Sequence, residues 1–318
     1  MGARAALSAG WTPPRTAAIV AARVSRLANP ELAWEPPGQT RSVDRAEIEA
    51  RVGSVDAPIE VLGGGLANVN VRIGDRVLRI HRRDPAAAGR EAALLERRWT
   101  SFRVPELLAR GHDFALLRHV PHRPLDDLPA HGAAVGRALA EIHANRFPDA
   151  GFLDDQLAIA TPMHDVVGAF HDHVLAGTEG PWGQLRAAIA GALRAHAGAL
   201  RALAAGPVLL HGDFKVSNLH WTERDELLVL DWEFAYAGPA LMDIGQLTRW
   251  SPSPAFLDAF AGAYRDRGGA LPPDWLRWAA TFDLVNLSGL LEAATPDSAR
   301  GIDVSHRIGE TLAALGPG

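Results

Sequence analysis

The amino-acid sequence predicts an α+β fold with two lobes, a small sheet-rich first lobe and a larger helical second lobe. Two observations carry this prediction. Short apolar segments bounded by turn residues fill the region from 59 to 117, which is the pattern of antiparallel strands. After residue 130 the apolar residues recur at helical spacing instead. With 318 residues and 47% hydrophobic content, the chain can bury a core large enough for both lobes.

Three regions are expected along the chain. Residues 1–45 form an N-terminal extension, in which an Ala-rich amphipathic segment between two Pro pairs predicts a short helix over 16–27 with loose flanks. Residues 46–118 form the first lobe and residues 119–318 the second. The second lobe should carry the catalytic segment described below.

The first lobe is expected to contain five antiparallel strands and one main helix. Val, Ile and Leu dominate the strand segments, and Leu94 and Leu95 give the helix its apolar stripe. The expected strands are 59–62, 71–73, 77–81, 105–108 and 114–117, and the expected helix is 86–99. Residues 118–121 should form the hinge to the second lobe.

Helical periodicity predicts most of the second lobe. His143 closes the first of its helices and is expected to be a buried packing residue. The expected helices are 133–145, 166–175, 182–203, 254–267, 275–294 and 305–315.

The most informative segment of the chain is 207–245. An apolar run, 208–210, leads into a polar turn that contains Asp213, and a second apolar run, 227–230, ends at Asp231. We interpret the two runs as the strands of a hairpin with an acid at each edge.

Three polar residues of this segment match the needs of phosphoryl transfer. That chemistry requires a carboxylate near the attacking hydroxyl, and an amide with a second carboxylate on Mg²⁺. Asp213, Asn218 and Asp231 supply this set, and four residues separate Asp213 from Asn218, as in the catalytic loop of protein kinases.

The pattern H-G-D-x-x-x-x-N followed by D-W-E resembles the aminoglycoside phosphotransferase and choline kinase family, small-molecule relatives of the protein kinases. The resemblance spans about residues 58–300. It implies a protein-kinase-like fold, ATP or GTP as phosphoryl donor and Mg²⁺ as cofactor. It further implies that Asp213 acts on the acceptor hydroxyl, that Asn218 and Asp231 hold the metal, and that His211 and Asp243 give the catalytic loop structural support.

Lys215 is the only lysine in the chain. A compact ammonium beside a phosphate is not interchangeable with a planar guanidinium, which explains why one lysine would persist among arginines. Its place in D-x-K-x-x-N resembles the serine/threonine kinases, so we expect Lys215 to contact the γ-phosphate as a catalytic residue.

A glycine-rich run between the first two strands is expected to cover the nucleotide phosphates. Glycines let backbone N–H groups approach phosphate oxygens. The run contains Gly64, Gly65 and Asn68 and resembles the G-G-L-x-N-x-N turn of the family.

Two further elements of the nucleotide site are expected in the first lobe and the hinge. Arg79 stands on the third strand, where protein kinases carry a phosphate-binding lysine, and Glu91 on the following helix is its expected partner. The backbone of His119 and Val120 should bind the adenine edge.

Asp283 and Asn286 are candidates for the acceptor site. They lie three residues apart in a strongly apolar segment, so they share one face of the expected helix. A buried carboxylate needs a partner. A cationic acceptor would supply one, and an internal ion pair with Arg249 or Arg277 is the alternative.

Charge and composition narrow the choice of partners. Residues 1–120 carry 18 arginines and 13 acids, which suits polyphosphate, whereas the rest of the chain is acidic, which suits a cationic acceptor. Together with the family resemblance, which implies such acceptors, this acidity favours an aminoglycoside-like molecule, with choline, homoserine and sugar-type metabolites as alternatives. The sequence has no basic cluster of the kind that binds nucleic acid and no apolar run long enough to cross a membrane, so neither is expected as a partner. No obligate protein partner is evident from the sequence. The absence of cysteine fits a cytoplasmic protein.

Two rival functions fit the sequence less well. In protein kinases a long activation segment and an A-P-E motif follow the metal-binding acid, but only eleven residues separate Asp231 from Asp243 here. A non-catalytic nucleotide-binding regulator would fit Arg79 in place of lysine. The complete set of Asp213, Asn218 and Asp231 opposes that rival.

Overall fold

The computed structural model describes residues 43–62, 68–82, 84–249, 251–292 and 294–316. The helix expected over 16–27 lies outside these residues, and so do Gly64 and Gly65.

The first lobe contains the predicted five-stranded antiparallel sheet, in the order β1-β2-β3-β5-β4. Its small core lies under a helix that the sequence analysis missed, α1, whose Ile48 is fully buried. Asp44 begins this helix by accepting a 2.7 Å hydrogen bond from the Glu47 amide, a common N-cap. The elements are α1 (Arg45–Val52), β1 (Ile59–Leu62), β2 (Val69–Ile73), β3 (Arg76–Ile80), α2 (Ala87–Leu95), β4 (Leu107–Arg110) and β5 (Phe114–Arg118).

The second lobe is mainly helical and also contains two small sheets, ordered β11-β10-β6 and β8-β7-β12-β9. Its helices are α3 (Pro129–His143), α4 (Val166–Ala176), α5 (Gly183–Ala195), α6 (Ala197–Leu203), α7 (Leu241–Thr248), α8 (Pro254–Asp266), α9 (Trp275–Glu292) and α10 (Ala299–Leu315). Its strands are β6 (His122–Pro124), β7 (Gly151–Leu153), β8 (Ile159–Pro162), β9 (Val208–Leu210), β10 (Leu219–Thr222), β11 (Leu227–Val229) and β12 (Tyr236–Gly238).

The strand pairing of the catalytic segment differs from the prediction. β9 pairs with β12, and β11 pairs with β10, so the two apolar runs lie in different sheets. The expected hairpin between 208–210 and 227–230 is therefore wrong, and the true hairpin is β10–β11. Three-residue buried strands carry no alternation from which a partner could be inferred.

Three helix predictions also need correction. The expected helix 182–203 is two helices, because His196 leaves helical dihedrals (φ −102°, ψ 11°) and packs its ring edge-on against Trp278. The helix expected over 86–99 ends at Leu95. α10 begins at Ala299 rather than at 305, since Ser298 caps it through the Gly301 amide.

An aromatic stack connects the two lobes beside the catalytic segment. Trp99 and Phe102 of the first lobe stack on each other with ring centroids 4.9 Å apart, and Trp99 stacks on Trp232 of the D-W-E motif at 5.4 Å. This stack fixes the segment after Asp231 against α2. Within the residues that the structure describes, no helix combines the length and apolarity needed to cross a membrane.

Candidate active site

Asp213 and the two predicted metal ligands, Asn218 and Asp231, each lie next to a strand. Asp213 follows β9, Asn218 immediately precedes β10, and Asp231 follows β11. Gly212 allows the turn before Asp213, because its φ is +80° and an added Cβ would lie 2.2 Å from the Phe234 carbonyl oxygen. Asp231 itself adopts the left-handed region (φ 65°, ψ 61°), which a short polar side chain tolerates better than most.

Asp213, Lys215 and Asn218 contact one another directly. Lys215 Nζ lies 2.9 Å from Asp213 Oδ2, and Asn218 Nδ2 donates 2.9 Å hydrogen bonds to both the carbonyl oxygen and Oδ2 of Asp213. Because Nδ2 is committed to Asp213, Asn218 Oδ1 is the atom left to act as a metal ligand.

Arg79 is the centre of a cluster of three carboxylates, of which Glu91 and Glu233 are buried. Its Nη1 pairs with Asp231, its Nε lies 3.2 Å from Glu91 Oε2, and its Nη2 lies 3.2 Å from Glu233 Oε1. Burial opposes the charge on the guanidinium, but the neighbouring carboxylates more than offset this and raise its pKa. The ion pair between Arg79 and Glu91 that the sequence predicted is present.

The pKa values of the three carboxyl groups around Arg79 shift in different directions. Burial tends to raise the pKa of Glu91 and of Asp231, yet the positive charge of Arg79 holds both below their usual values. His81 Nε2 also lies 3.0 Å from Glu91 Oε2, and Glu91 Oε1 accepts a 3.3 Å hydrogen bond from the Trp232 amide. For Glu233 burial prevails over Arg79, so its pKa is raised.

Glu233 was missed by the sequence analysis. Asn68, which follows the glycine-rich run, donates a 2.7 Å hydrogen bond from Nδ2 to Glu233 Oε2. The third residue of the D-W-E motif therefore connects the end of the glycine-rich run to the segment that begins at Asp231. The signal was available, because Glu233 is an acid two residues after Asp231 inside a motif already singled out.

Asp243 holds the turn before Asp213 through two backbone contacts. Its carboxylate is fully buried and accepts the His211 amide at 2.8 Å and the Gly212 amide at 2.9 Å. His143 Nε2 lies 3.3 Å from the same carboxylate, and its Nδ1 lies 2.7 Å from the Tyr264 hydroxyl. His143 is buried as expected, but it also belongs to a polar network that periodicity could not show.

The other side of the turn is held by Gln246, which the sequence analysis did not identify. Its Oε1 accepts the Phe214 amide at 2.7 Å and its Nε2 donates to the Gly212 carbonyl at 2.8 Å. His211 connects the turn to β11, since its Nε2 lies 2.8 Å from the Leu230 carbonyl oxygen. Burial lowers the pKa of His211 and favours the neutral ring.

The hinge has fewer free backbone groups than expected. The amide of His119 donates to the Asp75 carbonyl at 2.8 Å, and the Val120 carbonyl lies 2.6 Å from His122 Nδ1. The His119 carbonyl and the Val120 amide have no hydrogen-bond partner in the described part of the chain, so they are the groups left for an adenine edge.

Asp283 has a protein partner. Arg249 donates from Nε to Oδ2 at 2.7 Å and from Nη2 to Oδ1, and Asn286 Nδ2 adds a 3.1 Å hydrogen bond. The two ionic side chains are only 6% and 3% exposed. The inference that Asp283 needs a cationic acceptor is therefore wrong, and the internal pair with Arg249 is the correct alternative.

Replacing Asp283 by asparagine should destabilise the protein. The change would leave the Arg249 guanidinium buried without its counter-charge, which typically costs about 3–5 kcal/mol. We expect a clearly lower melting temperature, measured by calorimetry, and the exposed acid Asp258 replaced by asparagine is the control. An unchanged melting temperature would contradict the buried ion pair.

Comparison with known proteins agrees with this geometry. The sequence model of the phosphotransferase enzyme family matches residues 58–280. A search of curated protein sequences found no match.

Solved structures of several small-molecule kinases share the fold. A ternary complex of the aminoglycoside phosphotransferase APH(4)-Ia with ADP and hygromycin B has a TM-score of 0.63 at 20% identity, covering 87% of this chain and 99% of that one. A choline/ethanolamine kinase family protein from Mesorhizobium loti has a TM-score of 0.57 at 18% identity, covering 93% and 95%. The macrolide 2′-phosphotransferase MphH from Brachybacterium faecium has a TM-score of 0.56 at 21% identity, covering 86% and 97%.

The family match extends over more than two thirds of the chain and includes every residue that surrounds Asp213 and Asp231 in the site. The chain belongs to the phosphotransferase enzyme family.

Proposed function

We propose that this protein transfers the γ-phosphoryl group of ATP or GTP to a hydroxyl of a small molecule. The observation that carries the proposal is the direct contact of Asp213 with Lys215 and Asn218 beside Asp231. This arrangement brings a base, a cation and metal-binding oxygens together, which is the set that phosphoryl transfer requires.

The residues present fit a magnesium ion. Asn218 Oδ1 and Asp231 Oδ2 have no hydrogen-bond partner among the described residues, and both are hard oxygen ligands of the kind that Mg²⁺ prefers. The Asp231 side chain is 38% exposed, so the carboxylate can be reached from the cleft. Asn218 and Asp231 would hold the ion, and it would supply positive charge that offsets the charge of the nucleotide phosphates.

Asp213 is placed to receive or orient the proton of the acceptor hydroxyl. Asn218 Nδ2 donates one hydrogen bond to the Asp213 carboxylate and a second to the Asp213 carbonyl oxygen, so side chain and backbone are both held before any substrate arrives. Asp243 and Gln246 fix the backbone on either side of it. The remaining unshared electron pairs of Asp213 are available to a hydroxyl proton.

Arg79 and Lys215 supply the positive charge of the site, the first beside Asp231 and the second beside Asp213. In this structure Arg79 is neutralised by three carboxylates, so phosphate oxygens would share its Nη1 with Asp231. Lys215 is 32% exposed and is the more accessible cation. It is therefore the group that can follow the moving phosphoryl.

Replacing Lys215 by arginine should lower turnover by at least about tenfold, within the range seen when one transition-state contact is lost. The planar guanidinium cannot occupy the same point between Asp213 and the phosphoryl group. Steady-state kinetics should show a changed kcat with little change in nucleotide KM or melting temperature. Unchanged turnover would remove Lys215 from the mechanism.

The acceptor is a small hydroxyl compound. The preference for a cationic, aminoglycoside-like molecule keeps the support of a structural neighbour that binds hygromycin B. Asp283 no longer supports a cationic acceptor, because Arg249 already neutralises its charge. Choline-, homoserine- and sugar-type molecules are the alternative acceptors.

The test of the proposal is a phosphoryl-acceptor screen with the purified protein. ADP or GDP release is measured with ATP or GTP, Mg²⁺ and a broad panel of hydroxyl compounds, and the product is identified by mass spectrometry. We expect one compound to gain a phosphoryl group at a rate far above hydrolysis. Nucleotide binding without transfer to any compound would favour a non-catalytic regulator.

A further inference from the structure

Two histidine rings, His122 and His220, connect the hinge to the catalytic turn. His122 Nδ1 lies 2.6 Å from the Val120 carbonyl oxygen of the hinge, and the ring centroids of His122 and His220 are 4.3 Å apart. His220 Nε2 in turn lies 3.1 Å from the carbonyl oxygen of Ser217, the residue before Asn218. This histidine pair therefore lies between the hinge backbone and a proposed metal ligand.

Both histidines lie on the face of their sheet that points away from the core of the second lobe. His122 on β6 is paired with Thr222 on β10, and paired residues of antiparallel strands share a face. His220 lies two residues before Thr222 and shares it too. The opposite face carries Leu219 and Trp221, which pack into the second-lobe core.

The accessible part of His220 is aromatic ring surface. The residue is half-buried. Its Nε2 is bonded to Ser217, and its Nδ1 is buried and has no hydrogen-bond partner among the residues that the structure describes. Burial and the neighbouring His122 lower the pKa of His220, which favours the neutral ring. What His220 offers to a ligand is therefore ring carbon rather than a charge or a free nitrogen.

The hinge backbone alone offers a base little hydrogen bonding. Its two free groups in the described structure, the His119 carbonyl and the Val120 amide, belong to one trans peptide unit and point in opposite directions. The His119 amide is used by Asp75, and Pro121 has no amide hydrogen. A base therefore meets one of the two free groups, and one neutral hydrogen bond is worth only about tenfold in affinity.

We propose that the histidine pair is the platform on which the base of the phosphoryl donor stacks, so that ring contact rather than hydrogen bonding holds the base and both ATP and GTP are accepted. Stacking tolerates a change of base, because every base has an aromatic face. Since His220 lies two residues after Asn218, a base on its ring leaves the phosphates near the proposed metal ligand. This inference rests on the proposed function, because it concerns the donor of that reaction.

A purely structural role for the pair makes a different prediction. The contact of His220 with Ser217 could serve only to hold the turn that carries Asn218. Loss of the ring would then weaken the binding of phosphates and metal as much as the binding of the base. Inorganic tripolyphosphate has the phosphates without the base, so it separates the two roles.

The first measurement is calorimetric titration of ATP, GTP and inorganic tripolyphosphate, each with Mg²⁺, into the full chain. In the wild type we expect the Kd values of ATP and GTP to agree within about tenfold, the effect of one hydrogen bond. His220→Ala should raise both by about fivefold to a hundredfold, the range for losing one stacked aromatic ring. The Kd of tripolyphosphate should stay unchanged.

Two further variants and a control show whether the ring itself is responsible. His220→Phe keeps an aromatic ring and loses the hydrogen bond to Ser217, so it should retain most of the affinity for both purine nucleotides. His122→Ala changes an exposed residue and should weaken both nucleotides without affecting tripolyphosphate. His306→Ala, at a histidine whose side chain is 67% exposed on α10, is the matched control. Melting temperatures are measured for every variant.

The outcomes separate this inference from the proposed function. Equal losses for tripolyphosphate and the nucleotides in His220→Ala and His122→Ala would overturn the platform, and so would a wild-type preference of more than about a hundredfold for one purine. Transfer to an acceptor with unchanged nucleotide Kd in both variants would overturn the platform alone. The expected binding pattern without transfer to any acceptor would leave the platform standing and remove the kinase activity. Absence of nucleotide binding in the wild type would overturn both.

Discussion

Asp213→Asn is expected to lower turnover by about 10²–10⁴-fold, the range that a positioned base contributes. Asparagine keeps the shape of the side chain and can still accept the Asn218 hydrogen bond, so the turn between β9 and β10 should keep its geometry. It cannot accept a hydroxyl proton. Because Asp213 contacts Lys215 and Asn218 rather than the Arg79 cluster, nucleotide should bind nearly as well as before.

The comparison variant for this prediction is Asp231→Ala. It removes a proposed metal ligand and one partner of Arg79, so it should weaken Mg²⁺–nucleotide binding as well as turnover. Fluorescent-nucleotide titration and initial rates on the same preparations separate the two effects. Asp258→Asn, an exposed acid on α8, serves as the control. Near-normal turnover in Asp213→Asn would contradict the assignment of the base.

The catalytic segment shows which parts of the site could be predicted from sequence. Asp213, Asn218 and Asp231 come together in space because their spacing reflects a local turn and a short hairpin. Arg79 and Glu91 also meet, since a strand followed at once by a helix limits where both can lie. Gln246 was missed although a signal was present, because it lies three residues after Asp243 in a segment whose apolar residues recur at helical spacing, so the two polar side chains share one helix face.

The partner of Asp283 could not be chosen from the sequence alone. A carboxylate in so apolar a helix needs a partner, and Arg249 was one of the predicted alternatives. Choosing between that arginine and an external cation required knowing that α7 and α9 pack together, and they do so closely enough that a Cβ on Gly245 would lie 2.4 Å from the Ala279 carbonyl oxygen. Such a close approach depends on tertiary packing, which neither spacing nor composition determines.

Strand pairing in the second lobe could not be predicted for a related reason. The strands there are three or four residues long, and β9 and β11 are buried at every position, so neither shows which face or which neighbour it should have. In the first lobe β2 alternates between buried and half-buried residues, and all five strands were found within about two residues.

Arg79→Met should be the most destabilising single change in the first lobe. Methionine fills much of the same space but leaves Glu91, Glu233 and Asp231 without their common counter-charge. Removing one partner of a buried ion pair typically costs about 3–5 kcal/mol of unfolding free energy. Nucleotide affinity should fall as well. Arg72→Met on the neighbouring strand, which bonds only a backbone carbonyl, is the matched control.

The stability lost in Arg79→Met should depend on pH, and the pKa shift of Glu91 determines the direction of that dependence. In the wild type its pKa is lowered, so its carboxylate contributes stability above the unfolded pKa of about 4, and this contribution is lost as pH falls through the folded pKa. Without Arg79, burial raises the pKa of Glu91 instead, so the variant loses stability as pH rises. The difference in melting temperature between wild type and variant should therefore be larger at pH 7.5 than at pH 5. An equal difference at both values, measured by calorimetry, would mean that Arg79 stabilises the lobe by packing rather than by its charge.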